Sequence, residues 1–223
     1  MTSRPPASPA GTSPVPAPPA ATSPAPALPG GGGYARSTGS ARGLARRQEL
    51  LERVSDDLAR NGLTDFSLRR AARAADTTHK VLLYHFESAD DVLVQAVLLL
   101  RERRTTGGLA AAAESPTLAE RVRAIWPILV GEHSRVLDQA IGLAMYDPSR
   151  YAGLVPVSSQ EYLPALMSLC PPGWAVERKR EVSAMILGAL RGFLVDRRTG
   201  GDEASIEAGF AALARALDRE EAA

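Results

Sequence analysis

Between Ser67 and Phe86 the chain gathers side chains suited to gripping a polyanion. Arg69, Arg70, Arg73 and Lys80 stand against one acid, Asp76, a local excess of three positive charges. Thr77, Thr78, His79, Lys80 and Tyr84 lie close enough to share one side of a short helix. Hydroxyls, amines and imidazoles of this kind hydrogen-bond phosphates and base edges. Covalent and metal chemistry have much less to work with. The three histidines, His79, His85 and His133, form no His-x-x-x-His pair, and the single cysteine, Cys170, allows neither an intrachain disulfide nor a cysteine-rich zinc site. Cys170 is expected to be a small buried hydrophobe. There is no Gly-x-Ser-x-Gly elbow, and the glycine run at 30–33 precedes no strand–helix phosphate cradle. The expectation is a protein that is not an enzyme and carries no cofactor and no metal.

The elements that must position the Ser67–Phe86 residues follow from local signals. Leu50, Leu51, Val54 and Leu58 recur at helical spacing, and Asn61-Gly62 supplies a stop. Ser67 is an N-cap for a second helix to about Ala74. A turn at Ala75-Asp76-Thr77 needs positive φ, which Asp76 tolerates better than most residues. A third short helix runs from about Thr78 to Phe86, burying Leu82 and Phe86. Ser88-Ala89-Asp90-Asp91 then opens a longer apolar helix. Two short helices joined by a tight turn, with Ala71, Ala72 and Ala75 allowing close approach, describe a helix-turn-helix. Charge and pattern alone leave two readings open, a DNA-binding head or the solvated face of an ordinary bundle.

Beyond Arg104 a loop is expected over residues 105–116, with an alanine run inside it. Helical patterning resumes at Leu118–Leu129 and Val136–Met145 and breaks at Asp147-Pro148. It returns between Tyr151 and Leu169, stops at Pro171-Pro172-Gly173, and continues in helices near 175–197 and 203–219. The whole chain of 223 residues carries a net charge of only +1, so global charge does not indicate a nucleic-acid partner. Apolar residues make up 45% and aromatics 5%, so the core must be built from Leu, Ala and Val, which favours helices. The fold class is expected to be all-α: a three-helix head with a helix-turn-helix, then a helical body for ligand binding and dimerisation. The expected divisions are a Pro/Ala/Gly-rich disordered tail at 1–43, the head at 44–92 and the body at 93–219. No apolar run reaches the length of about 18 residues that a membrane span needs, and the N-terminus lacks a secretory apolar region, so a cytoplasmic protein with no membrane contact is expected.

The segment Leu82-Leu83-Tyr84-His85-Phe86-Glu87-Ser88, with the Ser67-Leu68-Arg69 start and the alanine-rich helix after it, resembles the N-terminal domain of the TetR/AcrR family of transcription regulators, in a branch common in actinobacteria. The likeness is specific over about 44–100 and continues more weakly to the C-terminus. It implies a DNA-binding regulator, a repressor by the commonest family behaviour, which binds a palindromic operator as a homodimer and is released by a small-molecule effector. It implies that Ser67 and Thr78 bind phosphate and that Thr77, His79, Lys80, Leu83, Tyr84 and His85 lie in or beside the major groove. His85 is expected to be mainly structural. Arg46 and Arg47, with Arg36 and Arg42, could add contacts from an N-terminal arm. Three positions depart from the pattern: Asp76 replaces the turn glycine, Leu83 a phosphate-binding Tyr, and Ala89 a phosphate-binding Lys. The implied effector pocket would use Trp126, His133, Met145, Tyr146, Tyr151 and Tyr162. The implied dimer interface would use the apolar stripes Val182, Ile186, Ala189, Leu190, Phe193 and Ile206, Phe210, Leu213, Leu217. The alternative is a ligand-binding or interaction protein of the same fold with weak or lost DNA binding.

Overall fold

A computed structural model describes residues 40–149, 151, 153, 154 and 162–223. The tail expected at 1–43 lies outside them up to residue 39, as do Arg36 and Pro156. The described residues are all helical apart from turns, with no strand. Their order is α1 (Ala41–Asn61), α2 (Leu68–Ala74), α3 (His79–His85), α4 (Ala89–Ala112), α5 (Leu118–Val130), a short 3-10 turn (Glu132–Ser134), α6 (Arg135–Tyr146), α7 (Leu163–Leu169), α8 (Val176–Arg198) and α9 (Glu203–Ala222).

Each of α1–α5 starts on a hydroxyl cap that satisfies a backbone donor of the first turn, Thr117 doing so for α5 by accepting from the Glu120 amide. Ser40, Ser67, Thr78 and Ser88 accept from the amides of Gly43, Arg70, Val81 and Asp91. The first described helix is capped at Ser40, a few residues before the expected start at 44. The turn between α2 and α3 closes by two linked bonds, Thr77 N–H to the Ala72 carbonyl and Asp76 N–H to the Arg73 carbonyl. That pairing requires a left-handed residue, and Asp76 supplies it at φ 48°. The sequence expectation for this turn is met at its one demanding position.

Two apolar clusters organise the described chain. The first joins α1–α3 and the start of α4 around Leu50, Leu58, Leu82 and Val97, and also takes in Val136, Leu137, Ala140 and Ala144 from α6. The Ser55 hydroxyl donates to the Leu51 carbonyl at 2.8 Å where α1 crosses α4. The second cluster joins the end of α4 with α5, α7, α8 and α9 around Leu118, Ile186, Phe210 and Leu217. Helix α4 belongs to both, so the division expected at 92/93 falls inside one continuous helix. The loop expected at 105–116 is α4 itself as far as Ala112. Local propensity disfavours Gly107-Gly108 in a helix, but packing prevails: Gly108 is buried and faces Ile125 of α5, 3.5 Å from where a Cβ would stand.

The apolar stripes expected to pair two chains are instead turned inward. Val182, Ile186, Leu190, Ile206, Phe210, Leu213 and Leu217 are buried within this one chain, and Ala189 and Phe193 pack against the same cluster. The periodicity is genuine, but a helix buries its apolar stripe on the nearest partner, which here is the chain's own bundle. Among the exposed residues of α8 and α9 are several small ones, Ala184 and Gly188, then Ala204, Ala208, Ala211 and Ala212, beside the larger Met185.

Candidate nucleic-acid interface and ligand cavity

Helix α3 divides cleanly. Leu82 and the following Phe86 face the core, while His79, Lys80, Leu83 and Tyr84 are exposed and Thr77 is half-buried. These positions, four and one residues apart, lie on one side of the helix. Thr78 and Ser67 use their oxygens as caps, so each hydroxyl proton can still be given to a phosphate. Arg69 and Arg73 are exposed on the neighbouring α2. Sequence reading counted their charge but did not place them on the interface. Their alternation with the buried Ala71 and Ala72 was the available signal.

Two arginines counted or named from sequence do other work. Arg70 donates to the Asp57 carboxylate at 2.7 Å, to the Thr64 carbonyl at 2.7 Å and to the Gly62 carbonyl at 2.9 Å. Its charge is offset by that of Asp57, and it locks the α1–α2 corner. Arg47 donates to the His85 carbonyl at 3.1 Å and to Gln95, and its guanidinium lies 4.7 Å from the centre of the Phe86 ring. It therefore ties α1, α3 and α4 together rather than reaching outward. Arg46 is half-exposed and pairs with Glu49 at 2.6 Å, a contact that solvent makes easy to exchange. His85 is half-buried, and its ring meets Tyr84 edge-on at 5.1 Å. Burial, then the charges of Arg46 and Arg47, hold its imidazole below the ordinary histidine pKa.

The body encloses a cavity of about 540 Å³ between α4, α5, α6, α7 and α8. Of the six residues expected to line it, Met145 and Tyr162 do. Trp126 instead packs edge-on against Phe193 at 6.3 Å and Phe210 at 4.8 Å, and Tyr151 packs against the head cluster. His133 and Tyr146 are exposed and outside the lining. Aromatic type was a poor guide because the wall is built mainly of aliphatic side chains such as Leu109, Ile125 and Leu166. Its polar part was missed altogether. Arg104 is buried, donates to the Tyr162 hydroxyl at 2.6 Å and reaches Asp138 at 3.5 Å. Arg198 meets the other Asp138 oxygen at 3.0 Å and also donates to the Val130 carbonyl at the end of α5. The Arg104 Nε is buried with no hydrogen-bond partner, a deficit that typically costs about 1–3 kcal/mol. Arg191 shares the wall; burial lowers its pKa, the Tyr162 phenol opposes this, and the nearby Arg104 charge adds to it.

Helix α6 joins the two sites. Its residues Val136, Leu137, Ala140 and Ala144 sit in the head cluster, while Asp138, Ile141, Gly142 and Met145 line the cavity. Between them Gln139 accepts a bond from the Leu63 amide at 3.0 Å, at the loop into α2. Gly62 there has φ 70°, and a side-chain carbon on it would stand 2.7 Å from the Gln139 oxygen. Cys170 is buried beside Ser183, and burial raises its thiol pKa, so it is a packing residue rather than a nucleophile.

No protein-family model matches the chain. No curated protein matches it either. Solved structures do. A Streptomyces coelicolor A3(2) protein described as a transcriptional regulator shares 20% identity over 77% of this chain and 98% of its own, with a TM-score of 0.57. The multidrug binding protein EbrR, solved with imidazole, shares 22% over 77% and 94%, with a TM-score of 0.59. A Rhodococcus protein assigned to the TetR family of transcriptional regulators shares 15% over 78% and 97%, with a TM-score of 0.52. The chain therefore has the fold of TetR-family regulators, with a helix-turn-helix head and a helical body. No helix among the described residues is long and apolar enough to cross a membrane.

Proposed function

We propose that this chain is a TetR-family transcription repressor that binds a palindromic operator as a homodimer and releases it when a small molecule enters the body. The observation that carries the reading is the face of α3: four exposed residues, His79, Lys80, Leu83 and Tyr84, on a helix-turn-helix whose neighbouring helix exposes Arg69 and Arg73. Such a face enters a major groove, with the arginines on flanking phosphates. The ligand half of the reading is supported by the cavity and by the description of the similar EbrR as a multidrug binding protein, solved also with proflavin. Signal transfer has a short path. A ligand that moves Asp138 moves Gln139, and with it the Leu63 loop on which α2 and α3 are hung.

The dimer is assigned to the outward faces of α8 and α9, where glycine and alanine let two backbones approach and Met185 fills the seam. The decisive experiment is selection of bound sequences from a random duplex pool. Enriched palindromes with half-sites about one helical turn apart are expected. A pool that stays random would instead favour a ligand-binding protein that has kept the fold without its DNA activity.

A further inference from the structure

One residue on the exposed face of α3 is unlike its surroundings. At about 100° per residue, His79, Leu83, Lys80 and Tyr84 follow one another around a single arc of the helix, so Leu83 stands between the histidine and the lysine rather than at a margin. Leu83 is 48% exposed and joins neither apolar cluster, whereas its neighbours Val81 and Leu82 pack in the head cluster. Single surface leucines are common and by themselves need no explanation. The setting of this one separates it from them. Lys80 flanks it, and Arg69 and Arg73 are exposed on the adjoining α2, charges that complement a polyanion. A leucine in the middle of such a face can hydrogen-bond neither a phosphate nor a base edge. The major groove offers it one apolar partner, the C5 methyl group of thymine.

We infer that Leu83 is a specificity-determining residue that packs on the C5 methyl group of a thymine in each half-site of the operator. This rests on the reading of α3 as a major-groove helix and names one base that the helix selects. His79 and Lys80, on either side of Leu83 around the helix, supply hydrogen bonds to adjacent base edges and phosphates, while Leu83 takes the methyl group between them out of water. A 5-methylcytosine carries the same methyl group, but beside an N4 amino donor instead of the O4 acceptor of thymine, so the two sources can be told apart.

The test uses the full chain and the palindromes enriched from the random duplex pool. Each thymine of the half-site is replaced in turn, in both half-sites, by deoxyuridine, which removes the methyl group and leaves every hydrogen-bonding group in place. At one position the unmodified chain should bind the uracil duplex about tenfold more weakly, the loss of one buried methyl contact in each half-site. Leu83→Ala should bind the thymine and uracil duplexes equally there. Leu83→Gln, which keeps helix propensity, gives the same reading should the first variant melt early by circular dichroism. At the same position 5-methylcytosine should bind better than cytosine and worse than thymine. No thymine that responds to loss of its methyl group, a response that Leu83→Ala leaves intact, or a 5-methylcytosine duplex bound as tightly as thymine overturns the inference. Loss of all operator binding in both folded variants also overturns it, because one methyl contact per half-site cannot account for so large an effect. Enriched palindromes without a responsive thymine sink this inference and leave the regulator standing, whereas a pool that stays random removes both.

Discussion

The head and the body both bury arginines, and they treat them differently. In the head Arg70 has a carboxylate and two carbonyls in good geometry, and Arg47 has a carbonyl, an amide and an aromatic ring. In the body Arg104 is more deeply buried and less well satisfied. A buried charge with all its donors matched holds elements in place, whereas one with a donor left over costs stability. The same residue type thus clamps the α1–α2 corner of the head and leaves an unmatched donor in the body.

Four substitutions break or sharpen this contrast. The largest effect is expected for Arg70→Met. It strands the Asp57 carboxylate and two carbonyls, and should lower stability by about 3 kcal/mol in urea unfolding, since removing one partner of a largely buried pair leaves the other uncompensated. A loss under about 1 kcal/mol would mean Arg70 is not a structural clamp. Next, Asp76→Gly relieves a left-handed aspartate and removes a negative charge beside the proposed DNA face. It should raise stability by about 1 kcal/mol and tighten operator binding in low salt.

Arg104→Met comes third, with a change in unfolding free energy within about 1 kcal/mol, because an apolar side chain of similar length replaces an incompletely satisfied charge. A loss as large as that of Arg70→Met would erase the distinction between the two regions. The smallest effect is at His85. Its folded pKa lies below the unfolded value, so the folded state takes up its proton later than the unfolded chain as pH falls. Stability is therefore full above about pH 6.5 and declines as pH drops toward the folded value. His85→Gln should flatten the thermal midpoint between about pH 7 and pH 5.

Much of the head was legible in the sequence, because its determinants are local. Ser67 and Ser88 cap amides three residues away, and Asp76 meets a backbone demand that its own type can satisfy. The exposed face of α3 followed from the burial of Leu82 and Phe86. The body was less legible. Gly107-Gly108 read as a break, since propensity is written in neighbours, while the closeness of α4 to Ile125 depends on residues far along the chain. Aromatic residues suggested a pocket that aliphatic residues and arginines build.

What the sequence determined on its own is the presence of most of the helices, the caps at Ser67 and Ser88, the turn at Asp76 and the apolar periodicity of α8 and α9. All of these depend on spacings of a few residues, where backbone geometry leaves little choice. Tertiary structure decided which side of each stripe met its own chain, which of the arginines paired with a distant carboxylate, and which one was left on a cavity wall. Those outcomes depend on partners such as Asp57 for Arg70 and Asp138 for Arg198, whose approach only packing in three dimensions brings about.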